Sequence, residues 1–233
     1  MNVPLFQVVP LLEARFIARV NRFVVEVEEG KERFSLSINN TGRLENILQA
    51  GRRAFFVPHA NRKTRGKLAG VEDTGGLAFL DTALQMKAFE VAFWKGLFPW
   101  LSRWESYRRN PRSGNSILDY LFVCGEKRAY AEIKSALFRK EDLALYPDAP
   151  TERGRKHLQT LMALQRQGFV TYFLLAVGLP QVVGFAPFTE RDPEVARLLQ
   201  EAQKKGVVVK SFVLRLSEEG MISLVTPDLP VFL

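Results

Sequence analysis

Residues 117–134, with the sequence ILDYLFVCGEKRAYAEIK, decide the fold of the second part of this 233-residue chain. Ile117–Val123 and Ala129–Ile133 are dominated by apolar, β-branched and aromatic residues, which favour strands. Gly125-Glu126-Lys127 lies between them and is typical of a turn. This segment therefore predicts two neighbouring strands joined as a hairpin.

Charged side chains of this hairpin form the sharpest chemical pattern in the sequence. Residues two apart on a strand project from one face, so we expect Glu132 and Lys134 together and Ile133 in the core. Asp119, on the preceding strand, is expected to place its carboxylate beside Glu132. Two such carboxylates suit Mg²⁺ or Mn²⁺, and Lys134 is suited to stabilise developing charge. This is the D…(D/E)xK arrangement of restriction-endonuclease-like nucleases; the alternative is a surface ion pair.

Predicted helices flank the hairpin on both sides. Thr82–Trp94 has helical composition, with Asp81 or Thr82 as its N-cap. Thr151–Gln167 and Pro193–Lys205 are also predicted to be helices, each ended by a glycine. Because strands alternate with these helices, the chain is predicted to have α/β organisation after about residue 80.

One long stretch of the chain carries no charge. No charged residue occurs between Gly168 and Thr189, a length that would permit a membrane span. Glycine and proline residues divide it into Phe169–Val177 and Val182–Phe188, which are better explained as two buried strands around a Gly-Leu-Pro turn. We therefore expect no membrane partner.

The first part of the chain is rich in short strands separated by turns. The predicted strands are Phe16–Val20, Arg22–Val27, Phe34–Ile38 and Arg53–Val57. Such a series fits a small barrel or a sandwich. The glycine-containing stretch at residues 73–76 is the predicted boundary with the α/β part.

Composition narrows the class of protein further. With 47% hydrophobic residues the chain can bury a core, which excludes a disordered basic tail. Its single cysteine, Cys124, excludes an intrachain disulfide or multi-thiolate site, and two histidines make a His-rich zinc site improbable. We expect a cytoplasmic globular protein. Its net charge of +8 points to an anionic partner.

The excess positive charge is concentrated in three clusters. They lie between Arg43 and Lys67, where Glu45 is the single acid, between Arg103 and Arg112, and between Arg153 and His157. Solvated loops and helix faces are one explanation. Because three clusters contain few acids, a nucleic-acid surface is the favoured interpretation.

Four sequence blocks resemble the sugar fermentation stimulation protein A family (SfsA). They are residues 14–23 (ARFIARVNRF), 40–43 (NTGR), 131–135 (AEIKS) and, most specifically, 146–158 (YPDAPTERGRKHL). The resemblance implies an OB-like β-barrel over residues 1–80. It also implies a PD-(D/E)xK nuclease-like α/β domain with a central mixed sheet over residues 81–233.

The resemblance also implies roles for individual residues. The nuclease-like catalytic residues correspond to Asp119, Glu132 and Lys134, with Mg²⁺ or Mn²⁺ on the two carboxylates. The family is described as DNA-binding and as a regulator of sugar metabolism, notably that of maltose. The expected nucleic-acid contacts are Thr41, Gly42, Arg43, Arg62, Lys63, Arg65, Lys67, Arg153, Lys156 and His157.

The sequence is compatible with three hypotheses of function. The first is a DNA-binding protein and transcription regulator without turnover, with Phe55 or Phe56 as a candidate for base stacking. The second is a metal-dependent nuclease. The third is a protein-interaction regulator whose charge keeps it soluble. Single-stranded and double-stranded DNA are equally compatible with the sequence.

Overall fold

The computed structural model describes residues 2–59 and 63–233. Within these ranges the chain forms eighteen strands, three α-helices and a short 3₁₀ helix. The elements up to the first helix are β1 (Val3–Gln7), β2 (Leu12–Asn21), β3 (Val24–Glu29), β4 (Glu32–Ser37), β5 (Arg53–Pro58), β6 (Gly66–Asp73), β7 (Gly76–Phe79) and α1 (Thr82–Trp94). The remaining elements are the 3₁₀ helix Pro99–Leu101, β8 (Ser106–Arg109), β9 (Arg112–Ser113), β10 (Ser116–Ile117), β11 (Tyr120–Cys124), β12 (Lys127–Ala136), β13 (Phe138–Lys140), β14 (Leu143–Tyr146), α2 (Glu152–Arg166), β15 (Val170–Val177), β16 (Gly184–Pro187), α3 (Pro193–Lys204), β17 (Val208–Leu216) and β18 (Met221–Leu229).

Strands β2 to β6 form a closed five-stranded barrel, to which β7 adds a final hairpin. The strand order is β4-β3-β2-β5-β6-β7, and pairing of Ser37 in β4 with Lys67 in β6 closes the barrel. Phe34 and Leu36 alternate along β4 as buried residues of the barrel core. The predicted OB-like barrel is confirmed. Residues 73–76 form the tight turn between β6 and β7, not a boundary between domains.

The second unit is built on a seven-stranded mixed sheet. Its order is β1-β18-β17-β15-β12-β11-β8, in which β12, β15 and β17 run parallel and the other pairs are antiparallel. The predicted α/β unit with a central mixed sheet is confirmed. The first strand of the chain, β1, pairs with β18 in this sheet and not with the barrel. We retain the division at residue 80 as a proposal, with β1 added to the second unit.

Helices cover both faces of the large sheet. Along β15, Tyr172 and Leu174 pack toward α1, whereas Phe173 and Leu175 pack toward α2 and α3. Both faces are therefore buried, which explains the unbroken apolar run of this strand. The charge-free stretch does form two strands, but β15 belongs to the large sheet and β16 to a small sheet with β13 and β14. No helix of the described residues is long and apolar enough to cross a membrane.

The helices begin where the sequence predicts them. Asp81 caps α1, with its side chain accepting hydrogen bonds from the backbone N–H groups of Ala83 and Leu84. Thr151 caps α2 and accepts from the N–H of Gly154. The second cap fixes the start of α2 beside β12, which brings one helix face over the strand that carries Glu132.

Candidate functional site

A cleft of about 420 Å³ lies between the barrel and the α/β unit. One wall is the segment that follows β4, and the other is formed by β12 and the β14–α2 connection. The charged and polar residues that line it include Arg22, Thr41, Asp119, Glu132, Lys134 and Arg153. The predicted carboxylates and lysine therefore share one cavity with residues from both units.

Asp119 lies directly before β11, opposite Glu132 in the hairpin. The pairing of Tyr120 with Ala131 sets this register, and the Ile133 N–H donates a 2.8 Å hydrogen bond to Oδ2 of Asp119. Burial and the negative charge of Glu132 raise the pKa of Asp119 from its usual 3.8 to about 6. The fold thus holds two carboxylates close together where they are shielded from water. A bound cation would relieve the repulsion between them.

Glu132 is almost completely buried, with 1% of the residue exposed. Its Oε1 accepts hydrogen bonds from the Lys134 ammonium and from Nδ1 of His157, at 2.5 Å from the latter. Burial alone would raise the pKa of Glu132, but the hydrogen bond from His157 and the charge of Lys134 lower it below its usual value. Its other oxygen, Oε2, is buried and has no hydrogen-bond partner within the described ranges.

The donor set of this site fits a hard divalent cation. Carboxylate oxygens are the ligands that Mg²⁺, Mn²⁺ and Ca²⁺ prefer, and Glu132 Oε2 is a buried oxygen in need of a partner. Among residues 2–59 and 63–233, no group of three or more His, Cys, Asp and Glu side chains is arranged to hold a metal. A cation held by Asp119 and Glu132 would therefore take its other ligands from water or substrate, as Mg²⁺ commonly does.

The barrel wall of the cleft is fixed by contacts from the α/β unit and from the barrel itself. Asp148 of the β14–α2 connection accepts a 2.8 Å hydrogen bond from the Leu44 N–H. Arg19 of β2 donates to the carbonyl oxygens of Asn40, Arg43 and Gly42, at 3.1 Å and 3.0 Å for the first two. Because both the N–H and C=O groups of this segment are engaged, its geometry is preorganised.

The predicted nucleic-acid contacts divide into two groups. Thr41, Gly42 and Arg153 line the cleft, and the exposed Arg43 lies in the same segment as Thr41. These residues therefore lie at the same site as the two carboxylates. Lys156 is exposed on α2 and donates a 2.7 Å hydrogen bond to the Asn115 carbonyl.

Other predicted contacts are not among the residues that line the cleft. Arg65 pairs with Glu32, and its guanidinium lies over the ring of Phe34. Nζ of Lys67 lies 3.4 Å from Oδ2 of the buried Asp81. Lys63 is exposed, whereas Arg62 lies outside the described residues. Phe55 and Phe56 are both buried in the core, so the suggestion that they stack with bases is wrong.

His157 occupies a different place from the one expected. The family resemblance predicts a nucleic-acid contact at the rim of the site, but only 3% of His157 is exposed and its ring lies against Glu132. It therefore positions the carboxylate from behind. Arg19 and Asp148 have no role in the sequence prediction, although both lie within the blocks that carry the family resemblance.

Comparison with known proteins gives the same two-part organisation. The family model described as SfsA N-terminal OB domain matches residues 17–80, and the one described as Sugar fermentation stimulation protein RE domain matches residues 83–220. A sugar fermentation stimulation protein homolog of Pyrococcus furiosus is 41% identical over 220 residues, covering 94% of this chain and 95% of the relative. The homolog of Archaeoglobus fulgidus is 40% identical over 227 residues, covering 97% and 98%.

A solved structure agrees with the architecture described above. SfsA of Pyrococcus furiosus, determined in complex with Ca²⁺, superimposes with a TM-score of 0.94 at 39% sequence identity, and the match covers 99% of each chain. The structural superposition, the sequence identity and the two family models thus each match most of this chain. This chain belongs to the sugar fermentation stimulation protein family.

Proposed function

We propose that this protein binds DNA in the cleft and hydrolyses phosphodiester bonds with the help of Mg²⁺ or Mn²⁺. The observation that carries the proposal is Oε2 of Glu132, a buried oxygen that no described residue hydrogen-bonds, next to Asp119. A buried carboxylate oxygen without a partner is costly and two adjacent acids repel each other, whereas a cation between them relieves both effects. The Ca²⁺ complex of the Pyrococcus furiosus relative supports a site for a hard divalent cation.

Each residue of the site has a distinct part in this chemistry. Asp119 and Glu132 would hold the cation, which supplies a Lewis acid that polarises a phosphate oxygen and an attacking water. His157 keeps Oε1 of Glu132 engaged, so that Oε2 remains for the ligand set. Lys134 donates to the phosphate oxygen on which negative charge grows.

Basic and polar groups at the cleft suit the DNA backbone. Arg22 and Arg153 line the two walls, and Arg43 is exposed beside Thr41. Arginine forks recognise phosphate oxygens in any sequence, so we expect largely sequence-independent binding with a strong salt dependence. This partner is consistent with a cytoplasmic location.

DNA binding without turnover is the second candidate. It is favoured by the ion pair of Lys134 with Glu132, which compensates the carboxylate charge in the absence of a cation. Regulation of sugar metabolism, notably that of maltose, follows from the family resemblance and requires this binding alone. The two candidates differ in whether the cleft breaks bonds.

Cleavage of end-labelled single-stranded and duplex DNA with Mg²⁺ or Mn²⁺, against a chelator control, tests the proposal. We expect Glu132→Gln and Lys134→Ala each to lower the cleavage rate by roughly 10²- to 10³-fold. Lys140→Ala is the matched control, because Lys140 is exposed and pairs with Glu190 at 2.7 Å. Salt-sensitive DNA binding with no cleavage under any of these conditions would overturn the nuclease proposal in favour of the second candidate.

A further inference from the structure

An exposed phenylalanine stands at the tip of the β2–β3 hairpin, next in sequence to an arginine of the cleft. Phe23 is 57% exposed, and its neighbour Arg22 lines the cleft. The backbone at Phe23 is fixed on both sides: its N–H donates to Oδ1 of Asn21, and its C=O accepts from Ile38, each at 2.8 Å. The ring is therefore presented to solvent by a rigid turn and not by a loose loop.

The same hairpin is tied to the wall of the cleft. Arg19 donates a 3.0 Å hydrogen bond to the carbonyl of Arg22 and a 3.1 Å bond to the carbonyl of Asn40, a cleft residue. The Arg22 guanidinium carbon lies 5.6 Å from the centre of the Phe23 ring. The Arg19 guanidinium thus fixes the position of the hairpin tip relative to the cleft segment.

The neighbourhood of Phe23 distinguishes it from the other large exposed aromatic side chains. Within the described residues these are Phe23, Trp94 and Phe232. Phe23 directly follows Arg22, which lines the cleft, whereas no sequence neighbour of Trp94 or Phe232 lines it. Single exposed apolar residues are ordinary on protein surfaces, but an aromatic ring held rigidly beside an arginine of a DNA-binding cleft has the make-up of a base-stacking platform.

We propose that Phe23 and Arg22 form a subsite for single-stranded DNA, in which a base stacks on the ring while Arg22 holds an adjacent phosphate. This inference rests on the proposed function, since it assigns the strand that enters the same cleft. Bases in a duplex are already stacked on each other, so the ring can take only an unpaired base. The cleft volume of about 420 Å³ lies within the range of roughly 300–1,000 Å³ that is typical of pockets for small ligands.

Binding of labelled dT12, without divalent cations so that no cleavage occurs, tests the subsite in the full-length protein. We expect Phe23→Leu, which keeps an apolar side chain but loses the ring, to bind dT12 roughly 5- to 100-fold more weakly. Phe232→Leu is the matched control, because Phe232 is also an exposed phenylalanine, at 54%, outside the cleft. Its affinity should equal that of the wild type.

Two further probes separate stacking from general charge attraction. An abasic strand of the same length offers phosphates without bases, so Phe23→Leu should bind it as the wild type does. In Phe23→Trp, the indole fluorescence should be quenched by dT12 and unchanged by the abasic strand. Wild-type affinity of Phe23→Leu for dT12, or an equal loss on both strands, would overturn the subsite.

The proposed function is decided by a different measurement. Cleavage assays with the Glu132 and Lys134 variants report on bond breaking, whereas the dT12 assay reports on binding alone. If Phe23→Leu binds dT12 as the wild type does and the wild type cleaves DNA, the subsite is overturned but the nuclease proposal stands. If Phe23→Leu binds dT12 more weakly and the wild type does not cleave DNA, the nuclease proposal is overturned but the subsite stands.

Discussion

Gly42 and Asp148 approach each other so closely that a Cβ at position 42 would lie 2.6 Å from Oδ2 of the aspartate. Gly42 belongs to the barrel wall of the cleft and Asp148 to the α/β unit. The same carboxylate oxygen accepts the Leu44 N–H. The missing side chain at position 42 therefore allows the two walls of the cleft to be joined by a direct carboxylate–backbone contact.

Substitution of this glycine should loosen the cleft wall. Gly42→Ala forces Asp148 away from the Leu44 N–H, and we expect the free energy of unfolding to fall by roughly 1–3 kcal/mol. Urea unfolding measures the effect. In an Asp148→Ala background the obstructing carboxylate is gone, so Gly42→Ala should cost less there than in the wild type. Equal costs in the two backgrounds would contradict the role given to this contact.

Stability should depend on pH through Asp119. Because its pKa rises from 3.8 to about 6 on folding, the native protein keeps a proton that the unfolded chain has already released between these pH values. The free energy of unfolding should therefore fall as pH rises from about 4 to about 6, by roughly 3 kcal/mol from this group. Asp119→Asn should flatten the profile and be the more stable protein at pH 7–8.

The measurement is urea unfolding across this pH range in the presence of a chelator. Added Mn²⁺ should then stabilise the wild type, by about 2.7 kcal/mol at a hundredfold excess over its Kd, and leave Asp119→Asn nearly unchanged. Parallel pH profiles of the two proteins would contradict a pKa of Asp119 that burial and the charge of Glu132 raise on folding.

His157 should affect cation affinity without touching the cation. His157→Leu fills a similar space but removes the donor to Oε1 of Glu132, and we expect Mn²⁺ affinity to weaken roughly 10- to 100-fold. His157→Gln restores a donor and should recover most of the affinity. Calorimetric titration provides the measurement, and the exposed His59→Gln is the control. A purely structural role would instead lower stability and leave the Mn²⁺ affinity of the folded protein unchanged.

Arg153 should contribute to DNA affinity through phosphate contact. We expect Arg153→Ala to weaken binding to all sequences alike and to reduce the slope of log K against log salt by about 1. Arg197→Ala is the comparison, because Arg197 is exposed on α3 and already paired with Glu194 and Glu201 at 2.7 and 2.8 Å. An unchanged slope for Arg153→Ala would place this residue outside the DNA path.

Local signals in the sequence predict much of this structure. The Asp81 cap and the composition after it place α1, and the turn at residues 125–127 sets the register of the β11–β12 hairpin. That register brings Asp119 beside Glu132, so the central carboxylate pair follows from neighbouring strands alone. Such features depend on contacts over few residues, which composition and spacing record.

Features that depend on distant packing have no such signal. Strand β1 includes Pro4 and is stabilised by β18, so nothing near Val3–Gln7 marks it as a strand of the large sheet. His157 meets Glu132 because α2 packs over β12, a relationship between elements that the helix sequence does not contain. Asp148 likewise acts on a barrel segment about a hundred residues earlier in the chain.

The pairing of β1 with β18 has a consequence for how the molecule is made and how it moves. Val3 pairs with Leu224, so during synthesis the first strand must wait for almost the entire chain before its partner emerges. The barrel, whose strands are close in sequence, can assemble meanwhile as an insertion within the unfinished sheet. Once β1 is seated, the barrel is tethered by residues 8–11 on one side and by the β7–α1 junction on the other. It is then anchored like a loop with both ends fixed, and it cannot swing away from the cleft on a single hinge.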